Sequence, residues 1–546
     1  RPAPRVRRAV LIGGSALAAL LLLLAPTAEV ALGWVLLTVG TVAWMWRPRR
    51  SVPPAVWPVV GAIVLAGELW LAGRPLVSRQ VTHPQAWFSV RPAIAQVLID
   101  TDVYRVLSVS ASTFEPGDRA ELAQTYRDSL GANGLRDLFV TLKLREILSP
   151  NIPLAYQRAT LDGYDGGILP LRDYVALKNA LIDAARPEEG SRLVPPDYQP
   201  DGLLIRQLGA IPPTDLLSAL NVKYVVTDKS LDPWVDGVYY DLGLTARVRP
   251  GERWEIPVRS DLTATGVGIV SYLEGAGDVP GGTVIGTVHL TGADGRTVSH
   301  PLRAGDQTAE GLRTAGAAIA HPPARVASLW VNTDRGFNYA SSFDAAGPGP
   351  IARVAIDQTG PGTLVVRGLS LADRRTGASA SVTLRPDLTV VQSGDLKVYQ
   401  NEAVLPRGYL IDGAADPRGA PDDLPEVATR PLAGFDATAG SAELVEYAPG
   451  LAHFEVDAAG PARLIFSETS YPGWEATIDG RPVPIERANG VFQSVAVPPG
   501  HHAVRFAFAP RSVAFGAVIS AAATSALLLG GLLAVATRGP GRRRGG

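Results

Sequence analysis

The sequence predicts a membrane protein with four transmembrane α-helices and a large extracytoplasmic α/β domain. An inserted jelly-roll-like β-sandwich and a C-terminal β-sandwich module complete the predicted fold class. Three observations lead to this class. Apolar runs of membrane-spanning length lie at both ends of the chain. Mixed helix and strand patterns follow the first runs, and short strands separated by turn residues fill most of the remainder.

Four apolar runs approach the roughly 17–25 residues that a helix needs to cross a bilayer. They lie at about Ala9–Ala25, Val30–Trp46, Ala55–Ala72 and Val513–Ala536. Arginines precede the first run and follow the second and the fourth, and the positive-inside rule assigns those ends to the cytoplasm. The sequence therefore predicts a multi-pass protein of the bacterial cell membrane, with a lipid bilayer as its partner and residues from about 74 to 510 outside the cell.

Charge is divided unevenly along the 546 residues, although the formal net charge is only −1. The terminal parts are rich in arginine, whereas residues 76–509 hold 38 basic and 50 acidic side chains. Nucleic-acid binding needs a basic face, so this acidic middle argues against it. The chain has no cysteine, which excludes disulfides, thiolate metal sites and a cysteine nucleophile. Since it starts at Arg1 rather than Met, we expect a fragment or a processed product.

Residues after the first apolar runs alternate between helical and strand patterns, which favours a compact α/β unit. A strand is predicted at 103–107 and a second, buried one at 222–226. Helices are predicted at 122–130, 135–148, 171–184 and 215–220. Gly131 closes the first helix, and Ser149-Pro150 closes the second.

From about Tyr239 to Leu371 the pattern changes to short strands separated by Gly, Pro, Asp and Asn, as in a β-sandwich. We predict strands at 267–272, 283–290, 326–331, 351–356 and 363–369. Residues 385–412 are then expected to complete the α/β unit. Four aromatic side chains allow two interpretations, a sugar-binding platform or core packing; they are Trp254, Tyr272, Trp330 and Tyr339.

The C-terminal stretch predicts a small β-module that stands directly on the last apolar run. Asp479-Gly480 and Asn489-Gly490 are dipeptides that supply the positive φ angles of tight hairpin turns. Apolar residues alternate with polar or small ones around them, as in strands with one buried face. The predicted divisions are 1–75 (three transmembrane helices), 76–238 (α/β domain), 239–375 (inserted sandwich), 376–440 (completion and connector), 441–510 (membrane-proximal module) and 511–546 (final helix and basic tail).

The usual catalytic signatures are missing from the sequence: there is no P-loop, no His-Glu-x-x-His and no Gly-x-Ser-x-Gly. His501-His502 is a poor metal chelate because neighbouring side chains on a strand point to opposite faces. We therefore predict no metal site and identify no cofactor. The most site-like loop contains Tyr164 for sugar stacking and Asp165 as an acceptor, with Asn151 adding an amide. The alternative for this loop is a glycine turn capped by its aspartate.

Several segments occur together in a known family. They are Tyr104-Arg105-Val106, Gly163-Tyr164-Asp165, Leu220 to Val226, Asn401 to Arg407, Ser467-Glu468, Tyr471-Pro472-Gly473-Trp474, Asp479-Gly480, Asn489, Pro498 to His501 and Pro510. With these residues the chain resembles the C-terminal portion of the bacterial YfhO family of membrane proteins. Within the resemblance, Tyr471, Pro472, Gly473, Trp474, Asp479, Gly480 and Asn489 are structural motif residues.

The YfhO family is similar to GT-C glycosyltransferases, which implies a polyprenyl-phosphate sugar as donor and a cell-envelope glycopolymer as acceptor. In that architecture the catalytic acid lies in the first outer loop. Here the only earlier outer loop, Pro26–Glu29, is too short, so no catalytic residue is carried over and the catalytic residues stay unknown. A divalent metal remains open for the full-length protein.

Two functional hypotheses follow. In the first, the chain is the C-terminal part of a membrane glycosyltransferase-like protein whose outer domain positions the acceptor. In the second, it is a non-catalytic, membrane-anchored glycan-binding or envelope scaffold protein.

Overall fold

The computed structural model describes residues 66–67, 69–70, 89–110, 113–163, 171–187, 189–193, 208–314, 316, 318–331, 333–414 and 438–536. The chain divides into two compact units, one of residues 1–88 and 118–141 and the other of residues 89–117 and 142–546. Every sheet formed by the described residues lies within the second unit.

The helices are α1 Pro92–Ile99, α2 Arg119–Glu146, α3 Arg172–Ala184, α4 Thr214–Ala219 and α5 Arg511–Ala536, with 3₁₀ helices at Ile152–Tyr156 and Glu189–Ser191. The first strands are β1 Arg105–Ser108, β2 Ala159–Thr160, β3 Val222–Asp228, β4 Trp234–Val235, β5 Val238–Tyr239, β6 Ala246–Val248, β7 Arg253–Pro257, β8 Ala264–Glu274, β9 Val284–Gly292 and β10 Thr297–Arg303. They are followed by β11 Val326–Leu329, β12 Phe337–Gly349, β13 Ile351–Gln358, β14 Thr363–Asp373, β15 Ala378–Val382, β16 Leu388–Ser393, β17 Leu396–Asn401 and β18 Gly408–Asp412. The last are β19 Gly440–Ala448, β20 Leu451–Ala458, β21 Ala462–Thr469, β22 Trp474–Ile478, β23 Arg481–Val483, β24 Glu486–Ala488, β25 Phe492–Val497 and β26 Gly500–Phe508.

The predicted fold class, with its four transmembrane helices and large α/β domain, is wrong. The described residues form mostly β-sheet and contain one candidate membrane span. The three N-terminal runs lie outside the described residues, apart from 66–67 and 69–70. The physical reason for the excess of sheet is that period-two patterning extends over most of the residues from 239 to 508, whereas the helices between β1 and β3 are few.

A five-stranded mixed sheet has the order β16-β17-β3-β1-β2, with β1 parallel to both of its neighbours. Strand β17 pairs antiparallel with β3, so residues 388–401 return to this sheet after the intervening strands. The central strand β3 is buried on both faces, since Val222, Val225 and Val226 are all inaccessible to solvent. Strand β18 lies instead in a later sheet, and the predicted domain boundaries stay a prediction.

Helix α2 contains one residue outside helical geometry, Gly131, at φ 65°. A residue with a β-carbon resists this left-handed conformation, so the glycine sits where the two predicted helices meet. The predicted helix at 171–184 corresponds to α3, and the one at 215–220 corresponds to α4.

Two further sheets form the predicted sandwich region: β10-β9-β13-β7 and β11-β12-β8-β14-β15, with β6 paired to β14. They share one apolar cluster that includes Val267, Val288 and Ile356. The sugar-platform interpretation is wrong for Tyr272, Trp330 and Tyr339, which are buried in the core. Trp254 is half-buried and packs against the main cluster.

The C-terminal module consists of the sheets β18-β21-β25-β24 and β19-β20-β26-β22-β23. Phe454, Phe466 and Phe506 are fully buried between them, with ring centroids 5.0–6.1 Å apart. Edge-to-face and tilted contacts of this kind add to the stabilisation from burial alone. The module therefore has an aromatic core of its own.

Both predicted hairpin turns are confirmed. Asp479 and Gly480 have φ angles of 51° and 75°, and they join β22 to β23 with Ile478 paired to Arg481. Asn489 and Gly490 have φ angles of 47° and 73° between β24 and β25. The buried Asn489 also donates from Nδ2 to the Tyr409 hydroxyl at 3.2 Å, which attaches its turn to the first strand of the module.

Helix α5 follows the module after only two residues, Ala509 and Pro510. Residues Arg511–Gly530 have a mean hydropathy of 1.9, and none of them is buried against protein. Among the described residues this is the one helix long and apolar enough to cross a membrane. An apolar helix that no protein covers needs another apolar environment.

Gly473 lies where the module meets this helix. Its φ is 114°, and a β-carbon there would lie 2.8 Å from the Pro510 β-carbon. Its carbonyl also accepts the Ala509 N–H at 2.8 Å. Only glycine combines this conformation with so close an approach.

Replacing Gly473 by alanine is expected to lower the free energy of unfolding by about 1–3 kcal/mol, because Pro510 must move and the backbone is strained. Urea unfolding of the purified chain in detergent, followed by tryptophan fluorescence, measures the change. Gly460→Ala is the matched control, since nothing lies within 4 Å of the added β-carbon. Equal midpoints for the two variants would contradict the proposed close contact.

A buried charged cluster links β17 to the segment before β6. Lys397 Nζ lies 2.7 Å from Asp232 Oδ2 and 2.5 Å from Asp241 Oδ1, and all three side chains are almost fully buried. The Tyr399 hydroxyl donates to Asp241 at 2.7 Å, and the Tyr239 hydroxyl donates to Asp232 at 2.6 Å. Burial opposes the charge on Lys397, but the two carboxylates raise the pKa of the ammonium above its ordinary value.

Candidate functional site

Arg105, the first residue of β1, is buried at the junction of the mixed sheet and the C-terminal module. Its Nη1 donates to the Leu220 carbonyl at 3.0 Å, and its Nη2 donates to the Ser467 carbonyl at 2.6 Å. Burial, followed by the nearby charge of Arg407, lowers the pKa of this guanidinium to about 9. Arg105 therefore ties two distant parts of the chain together as a buried cation.

Arg407, just before β18, is the second buried arginine of this region. Its Nη2 donates to Glu468 Oε2 at 2.6 Å and to the Tyr447 hydroxyl at 2.8 Å. Glu468 Oε2 also lies 3.8 Å from Arg105 Nη2. We call Arg105, Arg407, Tyr447 and Glu468 the arginine–glutamate cluster. With two cations around it, the Glu468 carboxylate is held in one orientation.

Four of the segments that carry the family resemblance meet at this cluster, namely those of Arg105, Asn221, Asn401 to Arg407 and Ser467-Glu468. Asn221 donates from Nδ2 to the backbone carbonyl of Leu405 at 2.9 Å. The backbone carbonyl of Asn221 accepts the backbone N–H of Arg105 at 2.8 Å. Asn401 Nδ2 donates to the Val222 carbonyl at 3.0 Å. Residues separated by up to 362 positions in the sequence therefore meet around Arg105.

A cleft of about 310 Å³ lies beside the arginine–glutamate cluster. We call it the aromatic cleft, and its lining residues are Tyr447, Ala448, Pro449, Gly450, Glu468, Trp474 and Phe508. The Trp474 and Phe508 rings lie 5.5 Å apart on paired positions of β22 and β26. Trp474 also packs edge-to-face on the core residue Phe466 at 6.1 Å, which fixes the indole in place.

The aromatic cleft lies at the end of the module that faces α5. Strand β26 runs toward that helix and ends at Phe508, whose N–H donates to the Gly450 carbonyl at 2.8 Å. The turns Pro449-Gly450 and Tyr471-Pro472-Gly473 lie at the same end, because Leu451 and Trp474 pair with the last residues of β26. The cleft is thus only a few residues from the start of the apolar helix.

The predicted loop site is not assembled by the described residues. Asn151 lies at φ 70° before the 3₁₀ helix Ile152–Tyr156 and is exposed to solvent. Tyr164 and Asp165 lie outside the described residues. A role for these three residues in substrate binding stays a prediction.

Sequence reasoning did not assign Tyr447, Glu468 or Phe508 to a site, and it treated Trp474 as structural. The available signal was the resemblance itself, since Arg105, Arg407 and Glu468 all stand in matching segments. Nothing in their spacing along the chain indicated that these segments meet.

His501 and His502 have different partners, as their alternation along the strand predicts. His501 contacts Asp457 at 2.9 Å and Glu455 at 3.1 Å, whereas His502 Nδ1 lies 2.8 Å from Asp479 Oδ2. Within the described part of the chain no group of three or more His, Cys, Asp or Glu side chains is arranged to hold a metal ion. The histidines instead contact carboxylates at the end of the module away from α5.

The His502–Asp479 pair gives a pH-dependent contribution to stability. The hydrogen bond with Asp479 raises the pKa of His502 above 6.5, and the same bond lowers the pKa of Asp479 below 3.8. The histidine contribution is complete below pH 6.5 and is lost as the pH rises through the folded-state pKa. The aspartate contribution is complete above pH 3.8 and is lost on acidification, so the pair acts between these limits.

In Asp479→Asn, the pKa of His502 is expected to fall toward 6.5, because the asparagine carries no charge. A histidine-ring NMR titration of the chain in detergent measures this change. His501 is the internal control, since Asp457 is its first partner and its pKa should change little. An unchanged pKa of His502 would contradict the pairing.

Comparison with known proteins bears on the C-terminal module. Residues 451–520 match the family model described as bacterial membrane protein YfhO. The YfhO resemblance is confirmed over this stretch. The matched residues include Glu468, Trp474 and Phe508 of the aromatic cleft and the start of α5. A search of the curated proteins found no match for the chain.

Solved structures show only distant similarity. The arabinofuranosyltransferase AftD from Mycobacteria is 11% identical over 52% of this chain, with a TM-score of 0.13, and this chain covers 26% of the AftD chain. Vicilin from Solanum lycopersicum (tomato) is 10% identical over 48% of this chain and 70% of vicilin, with a TM-score of 0.12. At such low scores, neither structure informs the function of the YfhO-matched module.

Proposed function

We propose that the chain is the C-terminal part of a membrane glycosyltransferase-like protein of the bacterial cell envelope. In this proposal the C-terminal module lies outside the cell and binds the saccharide acceptor. The proposed reaction transfers a sugar from a polyprenyl-phosphate donor to an envelope glycopolymer outside the cell. The observation that carries the proposal is the aromatic cleft, in which Trp474 and Phe508 stand beside the oriented carboxylate of Glu468.

This combination suits a sugar. The apolar face of a pyranose or furanose ring packs on aromatic side chains, while a carboxylate accepts hydrogen bonds from hydroxyl groups. The Tyr447 hydroxyl, which accepts from Arg407, offers a further polar group at the cleft wall. A pocket with mostly apolar walls and a few fixed polar groups is the usual form of a small-molecule site.

Charge selects further among ligands. The carboxylate of Glu468 lies 2.6 Å from the buried Arg407 and 3.8 Å from the buried Arg105, so its negative charge is balanced by cations. The opposing charges leave an uncharged polyhydroxyl compound as the best-matched ligand. A neutral saccharide unit of the acceptor meets this requirement.

The test is glycan binding by the purified full chain in detergent, measured on an array of neutral envelope oligosaccharides. Glu468→Gln is expected to weaken binding by about tenfold or more, because a hydrogen bond to a charged group contributes roughly 1.5–3 kcal/mol. Trp474→Ala is expected to weaken binding to a similar extent through loss of the stacking surface.

Trp234→Ala is the matched control, since Trp234 is 69% exposed on the β4–β5 hairpin and does not line the cleft. Saccharide binding that survives both Glu468→Gln and Trp474→Ala would refute the proposed site.

The second candidate is a non-catalytic, membrane-anchored glycan-binding or scaffold protein, in which the same cleft would bind the glycan. An assay of sugar transfer distinguishes the two candidates. Membranes containing the protein with its complete native sequence are supplied with a polyprenyl-phosphate sugar and acceptor. Transfer that requires Glu468 supports the glycosyltransferase-like function, whereas glycan binding without transfer supports the scaffold.

A further inference from the structure

We propose that the α5-facing end of the C-terminal module is a lipid-contact surface that rests in the interfacial layer of the bilayer. The surface consists of Pro449, Tyr471, Pro472 and Phe508, with Trp474 behind them. It goes beyond the proposed function, because it would seat the module on lipid whether or not the cleft binds a saccharide.

Exposure of large side chains is the first observation. Tyr471 and Phe508 are 46% and 38% exposed, and their rings lie 6.0 Å apart. Pro449 and Pro472 are exposed beside them. Tyrosine, tryptophan and other aromatic residues are enriched where a membrane surface meets water, because their rings are apolar and the polar edge of Tyr and Trp stays hydrated.

The turns at the two ends of the module differ in charge. The turns near α5, Ala448-Pro449-Gly450 and Tyr471-Pro472-Gly473, contain no charged residue. The opposite end carries Asp457, Asp479, Arg481, His501 and His502. Exposed turns in water are ordinarily polar, so these two uncharged turns, with the exposed ring of Tyr471, indicate a different environment there.

The position of this surface next to α5 indicates that lipid covers it. Phe508 is separated from α5 by Ala509 and Pro510 alone, and the apolar residues of α5 are exposed over Arg511–Gly530. The Ala509 N–H is bonded to the Gly473 carbonyl, so the Tyr471–Gly473 turn is held against the start of the helix. A helix that enters a bilayer at Arg511 therefore brings these aromatic side chains to the level of the lipid headgroups.

The length of strand β22 agrees with a module whose α5-facing end contacts lipid. Strand β22 rises about 3.3 Å per residue, which puts the Asp479-Gly480 turn roughly 13–17 Å farther from the helix than Trp474. The charged end of the module then stands in water while the aromatic end contacts lipid. The aromatic cleft opens at the height of the headgroups.

Single-cysteine labelling tests the proposal directly, because the chain has no native cysteine. A fluorescent probe is attached to Tyr471→Cys, Phe508→Cys or Pro449→Cys in the full chain, reconstituted in phosphatidylcholine nanodiscs. Quenching is compared between lipids with a nitroxide near the headgroup and lipids with a nitroxide at the chain end. Arg481→Cys is the control at the charged end, and Val518→Cys is the reference inside α5.

We expect at least twofold stronger quenching at positions 449, 471 and 508 than at 481 by the shallow nitroxide. We also expect the strongest quenching by the deep nitroxide at position 518. Quenching at all three aromatic-end positions as weak as at position 481 would overturn the proposal, as would a probe at position 518 that no lipid quenches. Because saccharide binding is measured separately with Glu468→Gln, failure of the lipid contact and failure of the proposed function can be distinguished.

Discussion

Replacing Lys397 by methionine is expected to lower the free energy of unfolding by about 3–5 kcal/mol, which is the range for removing one partner from a buried ion pair. Lys397 is 1% exposed and contacts both Asp232 and Asp241. Without the ammonium, two buried carboxylates face each other with no cation between them. The urea midpoint of the chain in detergent reports the loss.

Two comparisons separate this effect from a packing defect. Lys397→Met combined with Asp232→Asn is expected to recover part of the lost stability, because one carboxylate charge disappears with the ammonium. The loss in the single variant is also expected to shrink as the pH is lowered, since unpaired buried carboxyls have a raised pKa and are stabilised by protonation. A loss that does not depend on pH would show that charge is not its cause.

Replacing Arg407 by methionine is expected to lower the free energy of unfolding by about 2–3 kcal/mol and to weaken saccharide binding. Arg407 holds both polar residues of the cleft wall, Glu468 and Tyr447, from a buried position. The expected loss is smaller than the roughly 3–5 kcal/mol for a fully buried pair, because Glu468 is partly exposed and solvent screens its charge. Unfolding and glycan-array measurements on the same variant check both effects.

Arg463→Met is the matched control in the same module, since Arg463 pairs with Glu486 at 3.0 Å but does not line the cleft. It should reduce stability less, because Glu486 is more exposed than Glu468, and leave saccharide binding unchanged. Arg407→Lys should recover only part of the lost function, because an ammonium does not reproduce the directional contacts of a guanidinium. Equal binding by wild type and Arg407→Met would contradict the role of Arg407 in orienting Glu468.

Local features of the fold were predictable where a short sequence imposes a backbone conformation. Asp479-Gly480 and Asn489-Gly490 form the expected turns, and Gly131 interrupts the helical region where predicted. The buried strand β3 was predictable from its β-branched and aromatic residues, Val222, Tyr224, Val225 and Val226. The predicted fold class was wrong, because the described residues form mostly β-sheet and contain one candidate membrane span rather than four.

The candidate site was less predictable than the turns. The loop with Tyr164 and Asp165 was predicted as a binding site because glycine, an aromatic ring and a carboxylate are adjacent in the sequence. The aromatic cleft draws Tyr447, Glu468, Trp474 and Phe508 from different strands. Period-two patterning indicates which residues of a strand share a face, but not which strands become neighbours.

The sequence by itself determined the tight turns, the alternating strands of the C-terminal module, the apolar helix that follows it and the resemblance to YfhO. Only the tertiary structure placed Arg105, Arg407 and Glu468 together and opened a cleft beside them at the α5-facing end of the module. The physical reason is that turns and apolar runs depend on neighbours along the chain. A buried cation meets its carboxylate only after distant strands have paired, and the long-range pairing of β-strands is not encoded in any short stretch.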